Sequence, residues 1–408
     1  MGVTLMASGE SERLQMHRKL GPFEHLLWLV DQWTPRHFVL VVRVEGGSIR
    51  AEDMRLALLH AQHRHPILRT SILANGGGPE FHPSDAPIVL RIVQRTTETQ
   101  WLHEVETQLA LPFERNDQPL LRVVLVQGEA ISELILVVHH SIGDGVSTMF
   151  LLRDLLECME GHPLGELLPG NAVEELLGSS ETSVSGPPSP PVSQVVKRIE
   201  RPQKVILQIF EIGPSELSRI LDRSRKKGTT LQGALLASLL LSMPEEDAVH
   251  CLAPINVRRV IPPIAEDFGL YISSGLASLD RNAAMDFWSL ARTARAQVMQ
   301  AFNRVALQAK AAAMAAVVAA KPSPQTVYEK VWRSGSYNAV LTNLGRFPDS
   351  PKLKRFRVTA VYPILSPELE PVIAVATADQ RAYITVSSPP SIADFSSRFL
   401  ELLKRETH

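Results

Sequence analysis

Thiols are nearly missing from this chain: Cys158 and Cys251 are its only cysteines in 408 residues. That excludes a disulfide scaffold and any metal centre built from three or four thiolates. An excess of charge is missing too, since 42 Lys and Arg face 43 Asp and Glu for a net charge of −1. No broad basic surface for nucleic acid or an anionic membrane is expected. Long apolar runs are absent. Leu231–Met243 and Ala311–Ala320 are the longest, and both fall short of the roughly 20 residues a membrane span needs. The opening residues, MGVTLMASGESERLQMHRKL, lack the apolar core of a signal peptide. Met6 stands where a myristoylation signal prefers Ser or Thr. No G-x-S-x-G elbow, G-x-x-x-x-G-K-[ST] loop or G-x-G-x-x-G turn occurs, so a serine hydrolase or a nucleotide fold has no support. His63 and His65 are spaced i, i+2, off a common helix face, and no carboxylate or thiol cluster accompanies them. No metal is expected. A soluble, cytoplasmic, globular protein is.

With 45% hydrophobic and 21% charged residues, the chain has ordinary globular composition. One break divides it. LLGSSETSVSGPPSPPV, residues 176–192, is rich in Ser and Pro and has no apolar periodicity. Proline removes backbone donors there and serine competes for local hydrogen bonds, so an extended linker is expected. The division is then an N-terminal lobe over 1–175, a linker over 176–200 and a C-terminal lobe over 201–408, each long enough for its own core.

Both lobes alternate β-branched runs with helical patterns, which points to α/β architecture. In the first, Arg36–Glu45, Glu80–Phe81, Ile88–Ile92, Leu120–Val126 and Leu134–His139 read as strands. Ala51–His63, Thr97–Ala110 and Ser147–Met159 read as helices, and Gly76–Gly78 as a turn. In the second, Lys204–Ile212 reads as a strand and Ser215 as the cap of the next helix. Leu231–Met243 reads as a helix buried all round, and the Ala-rich 284–318, free of Pro and Gly, as helical. Val372–Ala376 and Ala382–Ser387 form a hairpin around Asp379-Gln380, and Ile392–Arg405 is the last helix. Arg223–Lys227 (RSRKK) reads as a solvated helix end, with contact to the phosphates of a ligand as the alternative.

The segment that carries chemistry is ILVVHHSIGDGVS, Ile135–Ser147. A strand runs into two histidines, then three residues, Asp-Gly and a helix. Adjacent strand residues face opposite sides, so one histidine packs and the other faces a cleft. A neutral imidazole held rigidly there can accept a proton near neutral pH. Asp144 either orders the loop or holds an arginine that does. Gly145 lets the chain turn into the helix without steric cost, and Gly143, like it, serves the loop rather than the chemistry. A lone histidine in an apolar strand is more often a satisfied core residue; here the whole arrangement argues otherwise.

The sequence resembles the superfamily of chloramphenicol acetyltransferase, the condensation domains of nonribosomal peptide synthetases, and free-standing polyketide-associated and alcohol acyltransferases. Val138–Ser147 is similar to its histidine motif, HHxxxDG. Arg64–Thr70 (RHPILRT) and Leu111–Val126 (LPFERNDQPLLRVVLV) resemble first-lobe segments of condensation domains. Pro254–Pro263 (PINVRRVIPP) and Thr342–Arg346 (TNLGR) resemble second-lobe segments more loosely.

The resemblance implies an α/β fold of two chloramphenicol-acetyltransferase-like lobes forming a pseudo-dimer with a central tunnel. It makes His140 the general base and leaves His139 a structural role. It makes Asp144 structural, paired with Arg258 by motif or with the rival Arg69. It offers Thr342 or Asn343 as the donor to the developing oxyanion. The reaction it implies moves an acyl group from an acyl-CoA or a phosphopantetheine thioester on an acyl carrier protein to a small-molecule alcohol, in natural-product or lipid biosynthesis. No bound cofactor is implied. The expectation is a stand-alone monomer that makes esters, because no carrier or adenylation domain is attached. The alternatives are an amide-forming condensation enzyme acting on an amine, and an inactive condensation-like binding module.

Overall fold

The computed structural model describes residues 16–75, 78–113, 118–178, 205–244, 248–262, 264, 266–280, 285–332, 337–366, 370–392 and 394–407. Most of the expected linker, from residue 179 on, and Gly76-Gly77 of the expected turn lie outside the described residues. Among the described residues no helix is long and apolar enough to cross a membrane.

The first half contributes β1 (Arg18–Lys19), α1 (Pro22–Asp31), β2 (His37–Glu45), α2 (Ala51–Arg64), β3 (Thr70–Asn75), β4 (Gly78–Pro83), β5 (Val89–Gln94), α3 (Gln100–Ala110), β6 (Leu121–Gln127), β7 (Ile131–His139) and α4 (Gly145–Met159). The second half adds β8 (Ile206–Ile212), α5 (Pro214–Lys226), α6 (Leu231–Ser242), β9 (Ala248–Asn256), β10 (Ile272–Asp280), α7 (Phe287–Gln300), α8 (Arg304–Ala319), β11 (Ala339–Arg346), β12 (Arg357–Leu365), β13 (Val372–Ala378), β14 (Arg381–Ser388) and α9 (Phe395–Thr407). Every strand expected from sequence is present, most of them extended or shifted by a few residues.

The chain divides into two compact units. One holds residues up to Ser180 together with two segments from further on, Ile261–Tyr271 and Phe347–Val361. The other holds Glu181–Val260, Ile272–Arg346 and Tyr362–His408.

The first unit is built on a five-stranded sheet in the order β12-β2-β7-β6-β5. β2 and β7 pair antiparallel over their whole lengths, from His37 opposite His139 to Glu45 opposite Ile131. Val39 to Val42 and Leu134 to Val138 are fully buried, so both faces of these strands are covered. That accounts for apolar runs in place of alternation. A separate three-stranded ribbon has the order β1-β4-β3.

The second unit has a six-stranded sheet in the order β10-β9-β11-β13-β14-β8. Helix α6 packs on it with every residue from Gly233 to Leu240 buried, as its unbroken apolar run requires.

Three local expectations need correction. Helix α5 starts two residues early, with Gly213 as N-cap and Pro214 at the first helical position, so Ser215 is no cap. Proline's fixed φ suits that position, and its missing N–H costs nothing there. The stretch 284–318 is two helices. Asn303 accepts a hydrogen bond from the Ala306 N–H and caps α8; its side chain offers the backbone an alternative to helix. Gly143 and Gly145 are not among the glycines with positive φ, so neither is there for a left-handed turn.

The hairpin β13–β14 turns through Asp379 (φ 46°) and Gln380 (φ 60°). Both are left-handed, which strains any side chain beyond Gly, Asn or Asp. Replacing Gln380 by Gly is therefore expected to stabilise the protein by about 0.5–1 kcal/mol, read as a higher urea midpoint. An unchanged or lower midpoint would show that the turn is unstrained.

Candidate active site

The end of β7 delivers His139 and His140 to a loop closed by helix α4. The His139 N–H donates to the Leu120 carbonyl and the His140 N–H to the Arg36 carbonyl, at 3.0 and 2.8 Å. The histidine pair is thus pinned by its backbone to the chain on both sides.

The two rings part company, as strand alternation requires. His139 is 2% exposed. Its Nε2 lies 3.4 Å from Oδ2 of Asp31, at the end of α1, and its Nδ1 accepts the Ser141 N–H at 3.2 Å. Asp31 also accepts the Arg36 N–H. Burial pushes the Asp31 carboxyl up, but the bonds from His139 and Arg36 outweigh it and hold the group below the ordinary carboxylate range. Beside it, burial and then the Arg122 charge lower His37 to about 4, so that ring is neutral near pH 7.

His140 is half-buried. The Phe38 ring meets it edge-on at 4.9 Å. Its Nδ1 is 3.0 Å from the Gly143 carbonyl oxygen. A carbonyl only accepts, so the proton resides on Nδ1 and the Nε2 lone pair is left free. Burial lowers this imidazole below its ordinary value of 6.5, against opposing pulls from the Gly143 carbonyl and Asp144. A neutral ring with one fixed N–H and one open lone pair is what a general base needs.

Asp144, 1% exposed, is the N-cap of α4. Oδ1 accepts the Ser147 N–H at 2.8 Å, and Oδ2 accepts the Tyr271 N–H at 2.8 Å. The Ser147 hydroxyl donates to the Gly269 carbonyl at 2.5 Å and accepts the Gly269 N–H at 3.2 Å. The segment Ile261–Tyr271 is thereby clamped to the histidine loop. Phe268 explains Gly143: a Cβ there would stand 2.5 Å from the Phe268 ring. Close approach selects this glycine.

The first-half motif RHPILRT has a structural purpose that sequence reasoning missed. His65, 1% exposed, lies 3.2 Å through Nε2 from Asp154 on α4, and its Nδ1 accepts the Phe268 N–H at 3.2 Å. Arg64 donates to the same Asp154 oxygen at 2.7 Å. Burial keeps His65 below the ordinary imidazole range despite Asp154. A buried neutral histidine and its acid thus tie α2, α4 and the 261–271 segment together. The HP dipeptide before a tight turn was the available signal.

The remaining expected residues fall as follows. Arg69 ends a 3₁₀ turn, Pro66–Arg69, and its carbonyl accepts the Ser84 N–H. In the second unit, Arg258 follows β9 and donates through Nη1 and its backbone N–H to Asn256. Thr342, buried, and Asn343 are neighbours on β11 and face opposite sides of the strand. Asn343 Oδ1 accepts the Gly345 N–H where the pairing with β13 shifts register. At most one of the two side chains can serve as an oxyanion donor.

Residues 28–174 match the model of the condensation-domain family. The phosphinothricin tripeptide synthetase PhsC of Streptomyces viridochromogenes is 25% identical over 327 residues, 69% of this chain and 29% of that protein. The trichothecene 15-O-acetyltransferase TRI3 of Fusarium sporotrichioides has a similar structure, with a TM-score of 0.70, 11% identity, and coverage of 96% of this chain and 95% of that one. The starter condensation domain of rhizomide synthetase RzmA, in a complex with C8-CoA and Leu-SNAC, gives a TM-score of 0.67 at 15% identity, over 100% and 97% of the two chains. Over residues 28–174 the chain is thus similar to condensation domains, and its fold is similar to those of the two solved structures. Its fold is the condensation-domain fold, with two α/β lobes. The matched condensation region contains all of the histidine loop. The chain spans less than a third of the length of the curated relatives first matched.

Substituting Asp144 by Ala removes a helix cap and orphans the buried Tyr271 N–H. A loss of about 2–3 kcal/mol is expected, measured by chemical unfolding. A loss under about 0.5 kcal/mol would be that of a surface residue and would mean the carboxylate organises nothing.

Proposed function

We propose that this protein transfers an acyl group from a CoA or carrier-protein thioester to the hydroxyl of a small molecule, with His140 as general base. One observation carries the reading: the Gly143 carbonyl holds the proton on Nδ1 of His140 and leaves Nε2 as a lone pair on a neutral ring. Nε2 takes the proton of the acceptor hydroxyl as its oxygen attacks the thioester carbonyl. The tetrahedral intermediate expels the thiolate, and the imidazolium returns its proton to the sulfur. No covalent acyl-enzyme and no metal enters this sequence. Asp31 and His139 on one side, and Asp144 with the Gly269–Tyr271 backbone on the other, are positioning residues. TRI3 is named as an O-acetyltransferase, which supports a hydroxyl acceptor here, and RzmA's domain was solved with C8-CoA, which supports a CoA donor. On the resemblance, the oxyanion donor is Thr342 or Asn343, and the protein acts as a monomer in natural-product biosynthesis.

A second reading is amide formation on an amine acceptor, favoured by the similarity to a tripeptide synthetase. Every residue named serves it equally. Product mass analysis after incubation with acyl-CoAs and matched alcohol and amine acceptors separates the two.

His140→Ala is expected to lower turnover by about 10²–10⁴-fold with an unchanged melting temperature. Full turnover by the variant would remove the histidine from the chemistry. Absence of turnover by the wild type across donors and acceptors would favour a binding module.

The rate should follow the fraction of neutral His140. Because burial lowers this group, neutral base persists as pH falls through 6.5. The acid limb of kcat against pH should therefore lie below that value. An acid limb at or above 6.5 would contradict a desolvated base.

A further inference from the structure

We propose that His17, Glu80 and His82 form a zinc-binding site on the ribbon β1-β4-β3, apart from the histidine loop. Strand pairing makes the site. β1 and β4 run antiparallel with Arg18 opposite Phe81 and Lys19 opposite Glu80. The residue before Arg18, His17, therefore falls opposite His82. Side chains alternate along a strand, so His17, Glu80 and His82 share one face. Arg18 and Phe81 take the other, with the guanidinium stacked 5.0 Å from the ring centre.

On the shared face the two imidazole rings lie 4.9 Å apart, centre to centre. Glu80 Oε2 is 3.6 Å from His82 Nε2 and 3.9 Å from His17 Nε2. One ligand atom from each residue lies within 4.8 Å of the others. Ligand atoms about 2.0–2.2 Å from zinc sit roughly 3.3 Å apart in a tetrahedron. The three atoms thus need to close by a few tenths of an ångström to about 1.5 Å. His17, with 63% of its side chain exposed, has the freedom to supply most of it.

The second observation is the state of His82. Its Nε2 is buried and makes no hydrogen bond in the structure. A buried ring nitrogen without a hydrogen bond costs free energy. A cation shared with Glu80 and His17 satisfies it. Two imidazoles and one carboxylate suit zinc among the divalent ions, with a fourth position left for water or an exogenous ligand. The one cation in register on this face is the exposed Lys19, opposite Glu80. Its ammonium is free to swing into water as zinc binds. The ion would fasten the segment before α1 to β4.

Isothermal titration of the chelator-treated full chain with zinc chloride tests the site, together with thermal unfolding. One zinc per chain and a raised melting temperature are expected. His17→Ala, Glu80→Gln and His82→Ala should each weaken binding at least tenfold, since even an outer-shell change costs that much. The exposed His63→Ala should bind as the wild type does. No binding by the wild type, or equal binding by His17→Ala, overturns the proposal. His17 is exposed, so that variant decides the matter should His82→Ala fail to fold.

Discussion

A buried carboxylate holds the histidine loop in place. Asp144 receives one N–H from the first turn of α4 and another from Tyr271, 127 residues away in the chain. A carboxylate with two oxygens can serve two backbone partners, and at 1% exposure it has little water as an alternative. The loop between β7 and α4 is thus fixed at its far end by a buried side chain. Gly143 then has one place to be, against the face of Phe268, and its carbonyl has one direction to point. That carbonyl decides which nitrogen of His140 carries the proton. The chain of causes runs from a helix cap, through a glycine with no room for a methyl group, to the tautomer of an imidazole.

Two buried histidines support this arrangement from different directions. His139 orders the loop from the side of α1 through Asp31. His65 orders the 261–271 segment from the side of α2, with Asp154 as its acid. In both, one ring nitrogen faces a carboxylate and the other accepts a backbone N–H. Imidazole is the one side chain that can donate and accept at opposite edges of a rigid plane. Each therefore bridges two elements that no backbone hydrogen bond could join. His140 differs at both edges: its Nδ1 meets the Gly143 carbonyl in place of a carboxylate, and its acceptor edge is the one the proposed chemistry uses.

Much of this was legible from residue order. Strands with both faces covered show as apolar runs, and β2 and β7 were found that way. Alternation required that one of His139 and His140 pack and the other not, and the family resemblance said which. Errors arose where a side chain or ring acted locally against composition. The Ala-rich 284–318 read as continuous helix because its composition outweighed one asparagine, yet Asn303 caps a new helix within it. Ser215 lost the cap to the Gly213-Pro214 pair. Gly143 was read only as serving the loop, and the particular reason, the Phe268 ring, is contributed from beyond residue 260.

By itself, the sequence determined the α/β class, the strand that ends in two histidines, and an aspartate after them placed to order the loop. Those depend on periodicity and spacing within a dozen residues, and short-range sterics enforce them. Tertiary structure alone decided the tautomer of His140, the purpose of His65, and the meeting of His17 with Glu80 and His82. Each depends on groups brought together across scores of residues, where chain order carries no distance information and only packing says which atoms face each other.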